Sequence, residues 1–290
     1  MNESAPLVSV VVPTYQSAAF VERTLDSVLA QTYPSLELVV ADHGSTDGTW
    51  EKLQPYAVDQ RVRILRTDPG GGAERNWNRV TDEASGTYVK LVCADDLVYP
   101  NCVAEQVNVM EKNPDVALVA AKRDLVDSRG RTLIHGRGLG GLTGKVDGRT
   151  AIRRTVRAGS NIFGEPACVL LRTEMVHKVG GWSGRKPYLI DEDLYVRVLV
   201  LGDFFAIPRT LAAFRVSDTQ WSVNLARQQA RQAVSFHRQL RATEPDVVSH
   251  VDELVGSLRA AAIAWARRAA YQVWRRRMRP TADLSTERRA

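Results

Sequence analysis

Short apolar runs alternate with amphipathic stretches through the first hundred residues. Residues 7–12 are apolar, rich in valine and followed by Pro13, which predicts a buried parallel strand. Residues 21–29 repeat apolar positions with a helical period, and strand and helix patterns then alternate up to a strand at residues 88–92. This order is typical of an α/β fold with a doubly wound, mostly parallel (mixed) sheet flanked by helices.

The rest of the chain continues this alternation and ends in a helical stretch. Short strands are predicted at residues 116–120, 167–171 and 204–207, and five glycines within residues 136–144 predict a mobile loop. We divide the chain into a main domain with two halves, a helical extension and a disordered tail, at residues 1–222 (1–100 and 101–222), 223–279 and 280–290.

Composition changes this picture mainly at the C terminus. The chain is 44% hydrophobic and 25% charged, as in an ordinary globular protein. Its net charge of +6 comes from residues 257–290, which hold nine arginines and two acids. The main domain is therefore close to neutral, which argues against nucleic-acid binding. Three cysteines without paired spacing favour a reduced compartment, and the absence of a secretion signal or a long apolar run favours a cytoplasmic location.

Polar side chains follow the apolar strands at three places. Thr14 and Tyr15 follow the first strand, Asp42 follows the second, and Asp95 and Asp96 follow the strand at residues 88–92. In open α/β sheets, ligands bind outside the carboxyl ends of the strands. These residues therefore predict one crevice that contains two carboxylate sites.

Four segments of the chain resemble, in the same order, the family-2 inverting glycosyltransferases of the GT-A fold: residues 8–49, 90–96, 164–182 and 191–197. The resemblance implies transfer of a sugar from a UDP-sugar or dTDP-sugar to a hydroxyl of a glycan or lipid-linked acceptor. It further implies a hexosyltransferase of cell-envelope polysaccharide synthesis. The first half of the main domain would bind the nucleotide, and the second half would bind the acceptor.

The resemblance assigns the nucleotide site to the first strand ends. Asp42 would accept the N3–H of uracil or thymine, because a carboxylate forms a strong charge-assisted hydrogen bond with such a donor. Pro13, Thr14 and Tyr15 would flank the base or the ribose. The alternative is that Asp42 only orders a turn. Arg75 would approach a phosphate, although an exposed helix face explains it equally well.

Asp95 resembles the metal-binding member of the family's DxD motif. It would hold Mn²⁺ or Mg²⁺ against the donor diphosphate, and Asp96 would make a water-mediated or ribose contact. The chain has Cys93 where the family often has an aspartate, and a thiol is a poor ligand for these cations. The alternative is a turn that happens to carry two acids.

Asp191 occupies the position of the family's general base, which takes the proton from the acceptor hydroxyl. The start of a helix favours its ionised form, and helix capping is the alternative role. Glu165, Trp182 and Arg215 match the region that contacts the acceptor in the family. Trp182 is equally consistent with core packing.

The arginine-rich stretch at residues 257–279 predicts an amphipathic helix with two tryptophans. Such a helix suits an anionic membrane surface. It could instead pack on the main domain or on a second subunit, in a homo-oligomer.

Two other functions compete with a glycosyltransferase. A non-catalytic nucleotide-sugar-binding partner protein is the first, because Cys93 and Ser217 depart from the family pattern. A nucleotidyltransferase is the second, but the segment after the first strand contains no lysine or arginine that would bind a triphosphate.

Overall fold

The computed structural model of the protein describes residues 5–217, residue 225 and residues 228–278. Within them lie ten strands: β1 (Val8–Thr14), β2 (Leu36–Asp42), β3 (Val62–Arg66), β4 (Tyr88–Leu91), β5 (Leu97–Val98), β6 (Val116–Val126), β7 (Thr132–Arg137), β8 (Gly144–Val146), β9 (Val169–Arg172) and β10 (Asp203–Arg215). The helices are α1 (Val21–Leu29), α2 (Thr49–Leu53), α3 (Gly72–Asp82), α4 (Cys102–Lys112), α5 (Gly148–Ala158), α6 (Thr173–Lys178), α7 (Ile190–Leu199), α8 (Gln229–Thr243) and α9 (His250–Met278).

The described strands form one mixed sheet in the order β3-β2-β1-β4-β9-β6-β10-β5, with β7 beside β6 and β8 beside β10. The pairs β3-β2, β2-β1, β1-β4 and β6-β10 are parallel, whereas β9 pairs antiparallel with both β4 and β6. All seven residues of β1 are buried, as expected for a strand covered on both faces. The predicted fold class is therefore confirmed.

Two predicted elements differ from the structure. The strand expected at residues 204–207 runs on as β10 to Arg215, because an irregular pairing with β6 near Pro208 and Arg209 lets the strand continue past the proline. The glycine-rich segment at 136–144 is ordered rather than a mobile loop. It forms the end of β7 and a 3₁₀ turn at Leu139–Gly141, and Leu139 is fully buried.

The C-terminal extension packs on the main domain. Helix α9 crosses α5 closely at two glycines: a Cβ on Gly256 would lie 2.1 Å from the Val156 carbonyl oxygen, and one on Gly159 would lie 2.5 Å from the Ala260 nitrogen. Arg157 of α5 pairs with Asp252 of α9 at 2.7 Å. One face of α9 is thus already covered by the protein. None of the helices in the described residues has the length and apolarity needed to cross a bilayer.

The boundary proposed at residue 222 and the tail at 280–290 lie outside the described residues.

Candidate active site

A cavity of about 1430 Å³ opens at the carboxyl ends of β1 and β4. Its walls come from the ends of these strands, the start of α7 and the inner face of α9, and include Tyr15, Asp95, Asp191 and Arg267. Small-molecule pockets in proteins typically measure about 300–1,000 Å³, so the cavity has room for a nucleotide-sugar and part of a second substrate. Residues more than 170 positions apart in the chain thus meet in one space.

Asp191 lies in the first turn of α7 and faces the cavity. Its carboxylate accepts hydrogen bonds from the Asn161 side chain (3.0 Å) and from the backbone N–H of Glu192 (2.8 Å). Burial raises the pKa of Asp191 to about 7, and the nearby charge of Glu165 adds to the effect. A general base is most effective when its pKa lies close to the working pH.

Glu192 brings a second carboxyl group to the same wall. It is 2% exposed, and the Thr155 hydroxyl of α5 donates a hydrogen bond to it at 2.9 Å. Burial raises its pKa to about 8, and the charge of Asp191 contributes. Of the two carboxyl groups, Asp191 therefore has the lower pKa and ionises first.

Glu165 lies in the cavity wall as predicted, where it forms a close ion pair with Arg123 of β6. Burial opposes ionisation of this carboxyl group, but the charge of Arg123 holds its pKa below the usual range. Glu165 is therefore a charged group whose charge is locally balanced.

Asp95 and Asp96 have different environments. Asp95 is half-buried and lines the cavity. Asp96 is fully buried behind it and accepts the backbone N–H of Arg215 at 3.0 Å. Burial raises the pKa of Asp96 well above its ordinary value, and the charge of Asp95 adds to this shift. The structure therefore places Asp95, but not Asp96, in contact with the cavity.

Cys93 also lines the cavity, next to these acids. Burial raises the pKa of its thiol well above the ordinary value, as do the neighbouring Asp96 and Asp95. A protonated thiol is an unsuitable ligand for a hard cation. Within the described ranges, no group of three or more histidine, cysteine, aspartate or glutamate residues is arranged to hold a metal ion. Asp95 fits a divalent cation as a single carboxylate ligand, with further ligands from a bound diphosphate.

The structure corrects the predicted position of Asp42 and Thr14. Both side chains are fully buried and do not line the cavity. Asp42 accepts hydrogen bonds from the Ser45 hydroxyl (2.5 Å), the Ser45 backbone N–H (3.2 Å) and the Thr14 hydroxyl (3.2 Å). It therefore orders the loop after β2. Tyr15, which is 58% exposed, and His43 present their rings to the cavity above it.

Helix α3 also presents different residues from those predicted. Arg75 is exposed and lies outside the cavity wall. Its neighbour Asn76 is 4% exposed, lines the cavity and donates a hydrogen bond to the Thr14 carbonyl at 3.2 Å. The Asn76 side-chain oxygen is buried without a partner among the described residues. Asn76 is therefore better suited than Arg75 to form a hydrogen bond with a ligand in the cavity.

Arg215 is fully buried and lies behind the acids, so the predicted acceptor contact is replaced by a positioning role. Its guanidinium group donates hydrogen bonds to the backbone carbonyls of Asp95 (2.8 Å), Asp127 (3.1 Å) and Ser128 (3.1 Å). It also stacks on Phe20. Arg215 thus fixes the backbone that carries Asp95.

Trp182 is also placed in the core rather than on the acceptor wall. It is 2% exposed, and its indole N–H donates to the Thr81 hydroxyl at 2.9 Å. Its ring meets Trp77 edge to face, with ring centroids 5.0 Å apart. Trp77, unlike Trp182, lines the cavity. The positions Ala73, Asn76 and Trp77 share one helical face, which was the signal available in the sequence.

Solved structures show that the protein has the GT-A fold. TarS of Staphylococcus aureus, solved with UDP-GlcNAc, superposes with a TM-score of 0.66 at 18% identity, over 81% of this chain and 66% of that one. The mannosyltransferase PcManGT of Pyrobaculum calidifontis, solved with GDP-Man and Mn²⁺, gives 0.64 at 20% identity, over 92% and 76%. At these identities the likeness establishes the fold.

The chain belongs to glycosyl transferase family 2, because the model of that family matches residues 9–180, more than half of its length. An uncharacterized glycosyltransferase of Rickettsia bellii is 33% identical over 132 residues, 45% of this chain and 19% of that protein. The putative teichuronic acid biosynthesis glycosyltransferase TuaG of Bacillus subtilis is 37% identical over 97 residues, 33% of this chain and 38% of that protein. The chain therefore spans less than half the length of both relatives.

Proposed function

We propose that this protein transfers a sugar with inversion from a UDP-sugar or dTDP-sugar to a hydroxyl group of a glycan or lipid-linked acceptor. The observation that carries this proposal is the shared cavity of Asp95 and Asp191. The cavity contains Asp95, which is suited to hold a cation and a diphosphate, and Asp191, which is suited to accept a proton. Family membership supports the transferase activity, and TarS and PcManGT are relatives in fold whose structures contain nucleotide-sugars.

The chemistry follows from these two positions. Asp191 takes the proton from the acceptor hydroxyl as its oxygen forms a bond to the anomeric carbon of the donor sugar. The bond from that carbon to the diphosphate oxygen breaks on the opposite face, so the configuration inverts. A divalent cation held by Asp95 and the diphosphate would stabilise the charge on the leaving oxygen. Arg215 keeps the Asp95 backbone in place through this step.

Base recognition is proposed at the surface formed by Tyr15 and His43, above the buried Asp42. The aromatic rings offer stacking surface, and the Asp42 network orders the loop that carries His43. A direct hydrogen bond from the base to Asp42 would require this loop to move, because the Asp42 side chain is fully covered.

A thermal-shift panel tests the donor site. UDP or dTDP should raise the melting temperature, and Mn²⁺ or Mg²⁺ should increase the effect, because a ligand that binds only the folded state stabilises it. Asp95→Asn should abolish the metal-dependent part. Asp246→Asn is the matched control, since Asp246 is exposed, follows α8 and lies outside the cavity. Nucleotide binding without release of UDP or dTDP from any donor sugar would instead favour a non-catalytic binding protein.

Peripheral contact with the cytoplasmic face of the membrane is also proposed, through the outer face of α9. Leu254, Leu258 and Trp265 are 54%, 66% and 74% exposed there, although the opposite face is covered by the protein. Full-length protein should float with phosphatidylglycerol vesicles, and Trp265→Ser should reduce the floating fraction. Equal flotation of the two proteins, or none by either, would contradict the contact. Assembly into a homo-oligomer stays a prediction.

A further inference from the structure

Three arginines line the cavity that Asp191 also faces. Arg123 comes from β6, Arg137 from the end of β7 and Arg267 from the middle of α9. The electrostatic influence of Arg123 and Arg267 extends to Arg137, so the three groups form one cluster. Sequence reasoning did not single out any of them.

Their charges are balanced to different degrees. Arg123 is neutralised by its ion pair with Glu165. Arg267 donates hydrogen bonds to the hydroxyl of Tyr188 and, at 2.8 Å, to the side-chain oxygen of Gln229, both of which are neutral acceptors. Arg137 forms no hydrogen bond or ion pair within the part of the chain that is described. Among the described residues, Arg137 and Arg267 therefore form no direct ion pair, although the charge of Glu165 acts on both.

Arg137 is exposed as a residue, but partial burial of its guanidinium group lowers the pKa of that group, as do the positive charges of Arg123 and Arg267, whereas Glu165 acts in the opposite direction. An unpaired cation held near other cations costs free energy. A bound anion would remove this cost and would form charge-assisted hydrogen bonds, for which the planar guanidinium group is well suited.

The surface beside these arginines is apolar. Ile263, Ala270 and Trp274 line the cavity from α9, at helical spacing on both sides of Arg267. A ligand that fits this wall therefore has an anionic group next to an apolar chain or to the apolar face of a sugar ring.

We propose that Arg137 and Arg267 bind an anionic group, a phosphate or a carboxylate, of the acceptor whose hydroxyl group reacts at Asp191. This inference rests on the proposed function for the identity of the ligand as acceptor, but the anion site itself does not depend on catalysis. The anion can belong to a charged glycan or to a lipid phosphate, and the two sources differ in their apolar part.

The test measures binding by titration calorimetry with the full chain, in the presence and in the absence of saturating UDP. The probes are glucose 1-phosphate, glucuronic acid, octyl phosphate and the neutral octyl glucoside below its micellar concentration. We expect the anionic probes to bind at least about tenfold more tightly than the neutral one, and Arg137→Gln to weaken them about tenfold, the loss of one charge-assisted contact. Arg149→Gln is the control, because Arg149 is exposed on α5 and outside the cavity.

Binding of glucose 1-phosphate or glucuronic acid supports a charged glycan, and preference for octyl phosphate supports a lipid phosphate. The inference is overturned if the neutral probe binds equally well, if Arg137→Gln binds the anions like the wild type, or if UDP displaces them completely. Failure of UDP to bind at all would count against the proposed donor site. The comparison of Arg137→Gln with Arg149→Gln would still test the anion site.

Discussion

The two sides of the cavity differ in how their charged side chains are paired. At the ends of β2 and β4, Asp42 and Asp96 are fully buried and accept hydrogen bonds from neighbouring groups of the protein. On the other side, Arg137 forms no hydrogen bond or ion pair among the described residues, and burial raises the pKa of Asp191 to about 7. Most polar groups of the first side are satisfied by the protein, although one Asp96 oxygen and the Asn76 side-chain oxygen have no partner among the described residues. The second side holds charges that a substrate would balance.

This difference has a functional meaning for a transferase. A rigid strand-end network fixes Asp95 where a diphosphate would bind, and rigid positioning is valuable where charge develops in the transition state. A wall with unbalanced charge favours a substrate that carries the opposite charge, and so provides selectivity. The variants below test each side separately, beginning with the largest expected effect.

Asp191→Asn removes the proposed base and should lower kcat by about 10²–10⁴-fold, the usual contribution of general base catalysis. Nucleotide affinity should stay unchanged, because Asp191 lies on the other side. The measurement is release of UDP or dTDP from the donor. The matched control is Asp193→Asn in the same helix, whose carboxylate lies outside the cavity and pairs with Arg197 at 2.7 Å. If Asp191→Asn keeps activity within about tenfold of the control, the base is another group.

Arg215→Met removes the cation that fixes the Asp95 backbone and should lower the free energy of unfolding by about 3 kcal/mol, because several buried carbonyl groups lose their donors. Denaturant unfolding measures this change, and the affinity for UDP should fall as well. Arg209→Met is the control on the same strand, since Arg209 is 66% exposed and pairs with Glu105. Surface ion pairs contribute about 0–1 kcal/mol. Equal losses in the two variants would contradict the bracing role of Arg215.

The side at the ends of β2 and β4 is also the side that the sequence predicts best. Asp95 follows a strongly apolar strand, and the carboxyl ends of parallel strands meet at one edge, so its position can be derived from the pattern alone. The pattern does not show which side chains of a strand-end cluster point inward. The sequence therefore identified Asp42 and Asp96 as members of the site but could not show that both are buried.

The side that carries Asp191 was harder to predict because its parts are distant in the chain. Helix α5, which supplies Thr155, has four arginines that obscure its apolar face at Ala151 and Ile152. Helix α9 packs on the protein because Gly256 and Gly159 allow it to approach α5 closely. The sequence shows the two glycines but does not show which helix each of them approaches. Arg137 and Arg267 meet only through tertiary packing, so no local spacing relates them.

The pH dependence of activity tests the ionisation of Asp191, which belongs to one side of the cavity only. With the pKa of Asp191 raised to about 7 by burial, kcat/KM should rise about tenfold per pH unit below 7 and level off above it. Stability should change in the opposite direction. The stabilisation from the protonated, buried carboxyl is complete below the ordinary pKa of 3.8 and is lost as the pH rises through about 7. Relative to Asp191→Asn, the wild type should therefore lose stability from pH 4 to pH 8. A rate that is constant from pH 5 to pH 8 would contradict this assignment.

Trp182→Phe gives the smallest predicted effect and tests where the acceptor wall begins. The variant loses the hydrogen bond from the indole N–H to Thr81 but keeps an aromatic ring next to Trp77, so the free energy of unfolding should fall by about 1 kcal/mol. Donor turnover should change less than about twofold, since about 0.4 kcal/mol corresponds to that factor. Trp77→Phe changes the ring that lines the cavity and serves as the comparison. A turnover that falls tenfold in Trp182→Phe at unchanged stability would place Trp182 in contact with substrate and would extend the acceptor wall behind α3.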